Sequence, residues 1–147
     1  MRIVHYDHEA GEAPQKGFRS GVAGFVVLSA DQTLETEPRV RIGPNSHAAL
    51  IGHGVIDALD RLPQVEGPLA PGVDAVIHAG ALSDASRLLY EADRKTYSAH
   101  YEFVVGRVGE VEYRVAVDNR EYQRTLSRLQ YLVTMAGRLG HAVWLRL

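Results

Sequence analysis

The stretch from His100 to Asn119, HYEFVVGRVGEVEYRVAVDN, decides the fold because it predicts a β-hairpin that runs directly into a helix. A three-residue loop at 107–109, with Gly109 left-handed, places Glu102 opposite Arg114 across the two strands. Since side chains alternate along a strand, one face of this hairpin is polar and the other is apolar. The apolar face carries Tyr101, Phe103, Val105, Val111, Tyr113, Val115 and Val117. We therefore expect the hairpin to cover a core with this face.

A long helix is predicted directly after the hairpin. Asp118 or Asn119 can cap its first turn, and Gly140 is expected to end it. Apolar side chains recur at steps of three and four along one face, at Tyr122, Leu126, Leu129, Val133 and Ala136. Residues 141–147 predict a final strand whose exposed edge can pair with a second copy of the chain, so a homo-oligomer is one possible arrangement.

Before the hairpin, β-prone and helical segments alternate. Residues 3–6, 22–28 and 39–42 predict three strands, and residues 45–62 predict a helix that Asn45 or Ser46 can cap. A fourth strand at 73–78 and a second helix from Ser83 follow. We expect one α/β domain, residues 1–147, with a mixed central sheet flanked by helices.

Three segments in this first part carry a resemblance to a known family. They are Ile3-Val4-His5-Tyr6-Asp7, Gly21-Val22-Ala23-Gly24-Phe25 and Asn45-Ser46-His47-Ala48-Ala49-Leu50. The predicted elements up to about Glu91 follow the order strand, strand, strand, helix, strand, helix, which resembles the opening of the ribonuclease H-like fold. The three segments resemble the first strand, the second strand and the start of the first helix of that family. The resemblance implies this order for the first two thirds of the chain and a metal-binding aspartate at Asp7.

Most acidic residues of that family are missing from the matching positions. The family carries a glutamate where this chain has about Ala49, and an aspartate where this chain has Ile77-His78-Ala79-Gly80. After Glu91 the chain also departs from the family, because the hairpin is inserted before the last helix. Two-metal phosphodiester chemistry needs several carboxylates to hold two cations. The resemblance therefore implies a nuclease-like fold that lacks the carboxylates needed to hold two catalytic metal ions.

The composition is that of a folded globular protein. The 147 residues are 46% hydrophobic and 23% charged, with a net charge of −2. No apolar run approaches the roughly 20 residues of a membrane helix, and the first residues do not resemble a signal peptide, so we expect a cytoplasmic protein without a membrane segment. The absence of cysteine excludes disulfides, thiolate nucleophiles and cysteine-ligated zinc.

The densest group of possible metal ligands is His5, Asp7 and His8. His47, His53 and His78 can join them only if the fold brings these side chains together. No zinc-binding spacing such as H-E-x-x-H is present. We expect no cofactor, with a divalent metal at His5, Asp7 and His8 as the alternative.

Arg120, Arg124 and Arg128 stand four residues apart on the last helix and so share one face. The plainer interpretation is a solvated face, since an amphipathic helix must expose polar residues. The sharper interpretation is a binding stripe for an acidic partner or for phosphates, which Arg114 on the hairpin can extend. An isoelectric point near 6.4 gives no overall attraction to nucleic acid, so any such contact must be local.

The leading hypothesis is a noncatalytic binding protein, such as an inhibitor, immunity or accessory factor. It recognises a protein or nucleic acid through Arg120, Arg124, Arg128 and Arg114, together with the long polar loop at residues 7–21. This hypothesis is motivated by the missing catalytic carboxylates. The alternative is a metal-dependent hydrolase or nuclease that uses His5, Asp7 and His8.

Overall fold

The computed structural model describes residues 2–6, 21–28, 34–35, 39–70 and 72–147. Its strands are β1 (Arg2–Tyr6), β2 (Gly21–Leu28), β3 (Leu34–Glu35), β4 (Arg39–Ile42), β5 (Val65–Glu66), β6 (Asp74–Ile77), β7 (His100–Val108), β8 (Val111–Asp118) and β9 (Ala142–Arg146). Its helices are α1 (Pro44–Gly52), α2 (Val55–Asp60), α3 (Leu82–Arg94) and α4 (Asn119–Leu139), with a 3-10 turn at Ala79–Ala81. The expected α/β class is confirmed.

The strands form two sheets, whereas the sequence analysis predicted one central sheet. In the first, β8 lies between β1, to which it is parallel, and β7, to which it is antiparallel. The second is antiparallel in the order β3, β2, β9, β6, β5, and β4 also pairs with β2. β2 pairs with β4 and β9 in the second sheet, while β1 pairs with β8 at the edge of the hairpin.

The prediction of an exposed last strand is wrong. β9 pairs with β2 along one edge and with β6 along the other. A strand paired on both edges has no free backbone groups to offer a second copy of the chain. The ribonuclease H-like element order is not confirmed, and the likeness stays a prediction.

The hairpin packs Tyr101, Phe103, Val115 and Val117 against the core, as predicted for its apolar face, but its register differs from the prediction. A two-residue turn at Gly109 and Glu110 joins the strands, and Gly109 has φ 60°, as the first position of a type II′ turn requires. Val104 therefore lies opposite Arg114, two residues away from the predicted pairing. An irregularity between Val104 and Gly106 adds one residue to β7, which is typical of a β-bulge.

The shifted register is stabilised by charge. It places Arg107 opposite Glu112, and the guanidinium donates two hydrogen bonds to one carboxylate oxygen, at 3.1 and 2.8 Å. Such charge-assisted bonds are stronger than neutral ones. The predicted loop would not have brought these two side chains opposite each other.

The first predicted helix is broken in two. α1 begins at Pro44 after Gly43, so Asn45 and Ser46 lie inside the helix and do not cap it. His53 and Gly54 separate α1 from α2, and Gly54 has φ 76°, a left-handed conformation that suits glycine. The break turns His53 toward the hairpin.

α4 organises the core, since it contacts α1, α3 and strands of both sheets. Its first turn is capped as predicted, because the Asp118 carboxylate accepts hydrogen bonds from the backbone of Arg120 and Glu121. Gly140, with φ 72°, ends it. Its buried residues are Asn119, Tyr122, Thr125, Leu126, Leu129, Leu132, Val133 and Ala136.

Candidate anion-binding groove

Arg120, Arg124 and Arg128 lie on the exposed side of α4, opposite its buried face. An α-helix rises 1.5 Å per residue, so their backbone positions are about 6 Å apart along the axis. The predicted shared face is therefore present, and it follows from the burial of the opposite face against α1, α3 and the sheets.

The three arginines line one open groove of about 600 Å³ between α4 and the end of α3. Its other lining residues are Gln123 and Ser127 on α4 and Asp93 on α3. Every lining side chain is polar, and three guanidinium groups face one carboxylate. The two helices are held side by side next to this groove, where the Gln130 amide donates a hydrogen bond of 3.3 Å to the Leu89 carbonyl. We call this feature the Arg groove.

The guanidinium groups of the Arg groove make no hydrogen bond or ion pair with any other residue that the structure describes. Some other exposed arginines have acidic partners. Arg87 contacts Asp84, and Arg146 makes two hydrogen bonds to Asp74, at 2.7 and 2.9 Å. Arg41 and Arg61 are likewise exposed and have no ion pair within the described part of the chain, so α4 differs in placing three unpaired arginines on one line.

Arg114 does not line the groove. It lies on the outer side of β8, where it contacts Glu112 at 2.7 Å and Glu102 at 3.8 Å. Hydrogen bonds from Arg107 and Arg114 hold the pKa of the Glu112 carboxyl below its ordinary value. The charge of Arg114 is therefore already engaged within the hairpin, unlike the charges of the three groove arginines.

Two exposed tyrosines lie on the helices that form the groove, one on α4 and one on α3. Tyr131 is 67% exposed and follows Arg128 by three residues, so it continues the arginine line along α4. Tyr90 on α3 is 52% exposed, and the Arg94 guanidinium lies 5.6 Å from its ring centre. The sequence analysis did not single out either residue, although the step of eleven residues from Arg120 to Tyr131 is three helical turns.

The predicted metal ligands fall largely outside the described residues. The backbone of His5 lies on β1 opposite Arg114, while Asp7 and His8 belong to a stretch that the structure leaves undescribed. Among residues 2–6, 21–28, 34–35, 39–70 and 72–147, no group of three or more histidine, aspartate or glutamate side chains could hold a metal ion. A metal at His5, Asp7 and His8, and with it the hydrolase alternative, stays a prediction.

The other three candidate histidines have different surroundings. His47 is buried in α1, and His78, after β6, contacts Glu66 at 3.0 Å. His53 lies in an aromatic cluster with Tyr97, Tyr101, Phe103 and Tyr122. His53 and His78 therefore have different partners, and the described side chains form no group of three that could hold a metal ion.

The His53 cluster joins α1, the hairpin and α4. The imidazole stacks on Tyr97 and Tyr122, with ring centres 4.2 and 5.1 Å away, and its Nε2 lies 2.7 Å from the Tyr101 hydroxyl. A Cβ on Gly52 would come within 2.6 Å of the Phe103 ring, which explains a glycine within α1. This close approach is the compensation for its poor helix propensity.

Burial sets the ionisation of this cluster. Desolvation, with a smaller contribution from the Lys95 charge, lowers the pKa of His53. Desolvation, together with Tyr97, raises the pKa of Tyr101 to about 12. Both groups therefore favour their neutral forms, as expected for a packed structural cluster.

Among the described residues, no helix has the length and apolar character needed to cross a membrane. No protein-family model, curated protein or solved structure matches this chain.

Proposed function

We propose that this chain is a noncatalytic binding protein that recognises an anionic macromolecule through the Arg groove. The observation that carries the proposal is that Arg120, Arg124 and Arg128 line one groove without an ion pair to any described residue. A role as an inhibitor, immunity or accessory factor agrees with a surface that binds and does not react.

The local charge of α4 supports an anionic partner. The helix carries four arginines and one glutamate, although the whole chain has a net charge of −2. Arginine can bond carboxylate or phosphate through two parallel N–H groups, and such bonds are stronger than neutral ones. Exposed ion pairs contribute only about 0.2–1 kcal/mol each, so recognition needs several arginines to act together.

The chemistry of the groove supports binding over catalysis. Its hydroxyl, on Ser127, has no hydrogen-bonded base among the described residues. A serine nucleophile needs such a base within hydrogen-bond reach. A guanidinium group is a hydrogen-bond donor without an acceptor atom, so the arginines cannot serve as that base.

Heparin chromatography tests the proposal with a defined polyanion. The triple variant Arg120→Gln, Arg124→Gln, Arg128→Gln keeps good helix formers on α4 and removes the charges. We expect the wild-type protein to be retained at low salt, and the triple variant to elute at clearly lower salt.

The matched control is Arg2→Gln, Arg41→Gln, Arg61→Gln, which removes the same charge from other exposed positions. It is expected to elute close to the wild-type protein. Equal elution of the two triple variants, or no retention of the wild-type protein, contradicts the proposal. A cytoplasmic location and a homo-oligomer stay predictions.

A further inference from the structure

We infer that the ligand of the Arg groove is a single-stranded nucleic acid, bound through its phosphates along α4 and through an unpaired base on Tyr131. The inference rests on the proposed anion-binding function and narrows it to one class of polyanion. Three observations support it: the polar lining, the linear arginine array and the exposed tyrosine at its end.

The lining of the groove differs from the centre of a typical protein interface. Such centres are rich in aromatic side chains, Met and Arg, and poor in other charged residues. All six groove residues are polar, and half are arginines. Interfaces with nucleic acid are more polar and much more positively charged than interfaces between proteins. The lining therefore favours a nucleic acid over an acidic protein.

The regular spacing of the cations suits a polymer with one negative charge per unit. Arg120, Arg124 and Arg128 form a line about 12 Å long on the helix surface. A phosphodiester strand offers a charge at every nucleotide, whatever its sequence. An acidic helix would match this line only with carboxylates at every fourth residue.

Tyr131 favours an unpaired strand over a duplex. Its ring is 67% exposed, and it continues the line of arginines beyond Arg128. Proteins that bind single strands combine a positive groove with aromatic rings on which bases stack. Within a duplex the faces of the bases are covered by their neighbours, so this ring has a partner only on an unpaired base.

The remaining groove residues set the expected strength of binding. Gln123 and Ser127 supply neutral hydrogen-bond donors, while Asp93 repels phosphates. With a net charge of −2, the rest of the chain adds no long-range attraction. Binding is therefore expected to be local, moderate, salt-sensitive and independent of sequence.

The test measures fluorescence anisotropy of fluorescein-labelled 15-nucleotide oligo(dT) and oligo(U), with a 15-base-pair duplex for comparison. We expect both single strands to bind more tightly than the duplex. For three phosphate contacts the slope of log K against log salt is about −2. The groove triple variant is expected to lose at least tenfold in affinity and most of this slope, and the control triple variant should keep both.

Two single variants separate this inference from the proposed function. Tyr131→Ala should weaken oligo(dT) binding several-fold and leave heparin elution unchanged, while Asp93→Asn should strengthen oligo(dT) binding. Circular dichroism checks that each variant is folded. If heparin binds through the arginines but poly-glutamate competes as well as oligo(dT), or if Tyr131→Ala has no effect, the nucleic-acid assignment is wrong and the proposed function stands. If neither heparin nor the oligonucleotides bind, both are wrong.

Discussion

His53 shows how single residues set the chemistry of this fold. Gly52 admits the Phe103 ring, and Gly54 turns the chain, so the imidazole enters the aromatic cluster between α1 and the hairpin. The sequence contains both glycines, yet helical spacing alone predicted a continuous helix across them. The position of Phe103, distant in the chain, explains the glycine at position 52, and the left-handed conformation of Gly54 accompanies the break.

The lowered pKa of His53 makes stability depend on pH. In the folded state the imidazole stays neutral at pH values where the unfolded chain, with an ordinary pKa of about 6.5, takes up a proton. Its contribution to stability is therefore complete above pH 6.5 and is lost as the pH falls below that value. We expect the difference in urea midpoint between the wild-type protein and His53→Gln to shrink from pH 7.5 to pH 5.5.

His100→Gln serves as the control for this experiment, because His100 is exposed. Its difference from the wild-type protein should change less over the same pH range. An equal or larger change for His100→Gln would show that the cluster around His53 does not control the acid response.

At the scale of elements, the end of β8 and the start of α4 are locked to α1. The Asn45 amide donates to the Asp118 carbonyl at 2.9 Å and accepts from the Asp118 N–H at 2.7 Å. The next residue of α1, Ser46, also contacts α4, because its hydroxyl accepts a hydrogen bond of 2.8 Å from the Thr125 hydroxyl. These buried bonds fix the first turn of α4, from which Arg120 extends.

Removing the Asn45 amide should destabilise the fold. Asn45→Ala leaves the two Asp118 backbone groups without their partner, and since these bonds are part-buried, the cost lies near the lower end of the about 1–3 kcal/mol of an unsatisfied buried group. We expect a loss of this size in the free energy of unfolding measured with urea. Ser83→Ala, at an exposed position, should change it by much less, and equal losses for the two variants would contradict the role given to Asn45.

The elements that depend on local pattern were predictable from the sequence. The alternation of apolar and polar residues along 100–118 predicted the apolar face of the hairpin. The capping residue Asp118 and the terminal Gly140 predicted the two ends of α4. The register of the hairpin was not predictable, since both a two-residue and a three-residue turn fit the glycine at 109. The pairing of β1 with β8 joins residues more than a hundred positions apart, and no local signal encodes it.

At the scale of the whole molecule, charge is unevenly distributed. The whole chain has a net charge of −2, whereas α4 carries four arginines and one glutamate. The four-residue spacing predicted that three of these arginines share a face. It did not predict Asp93, which the packing of α3 brings to the groove, or the exposure of Tyr131.

The most direct measurement is an NMR titration of the arginine Nε–Hε signals with a heparin hexasaccharide. If the Arg groove is the binding surface, the signals of Arg120, Arg124 and Arg128 shift together and saturate together. Those of Arg107 and Arg146, which already have acidic partners, should stay in place. Saturable shifts confined to arginines outside α4, with the three groove signals unchanged, would contradict the assignment of this surface.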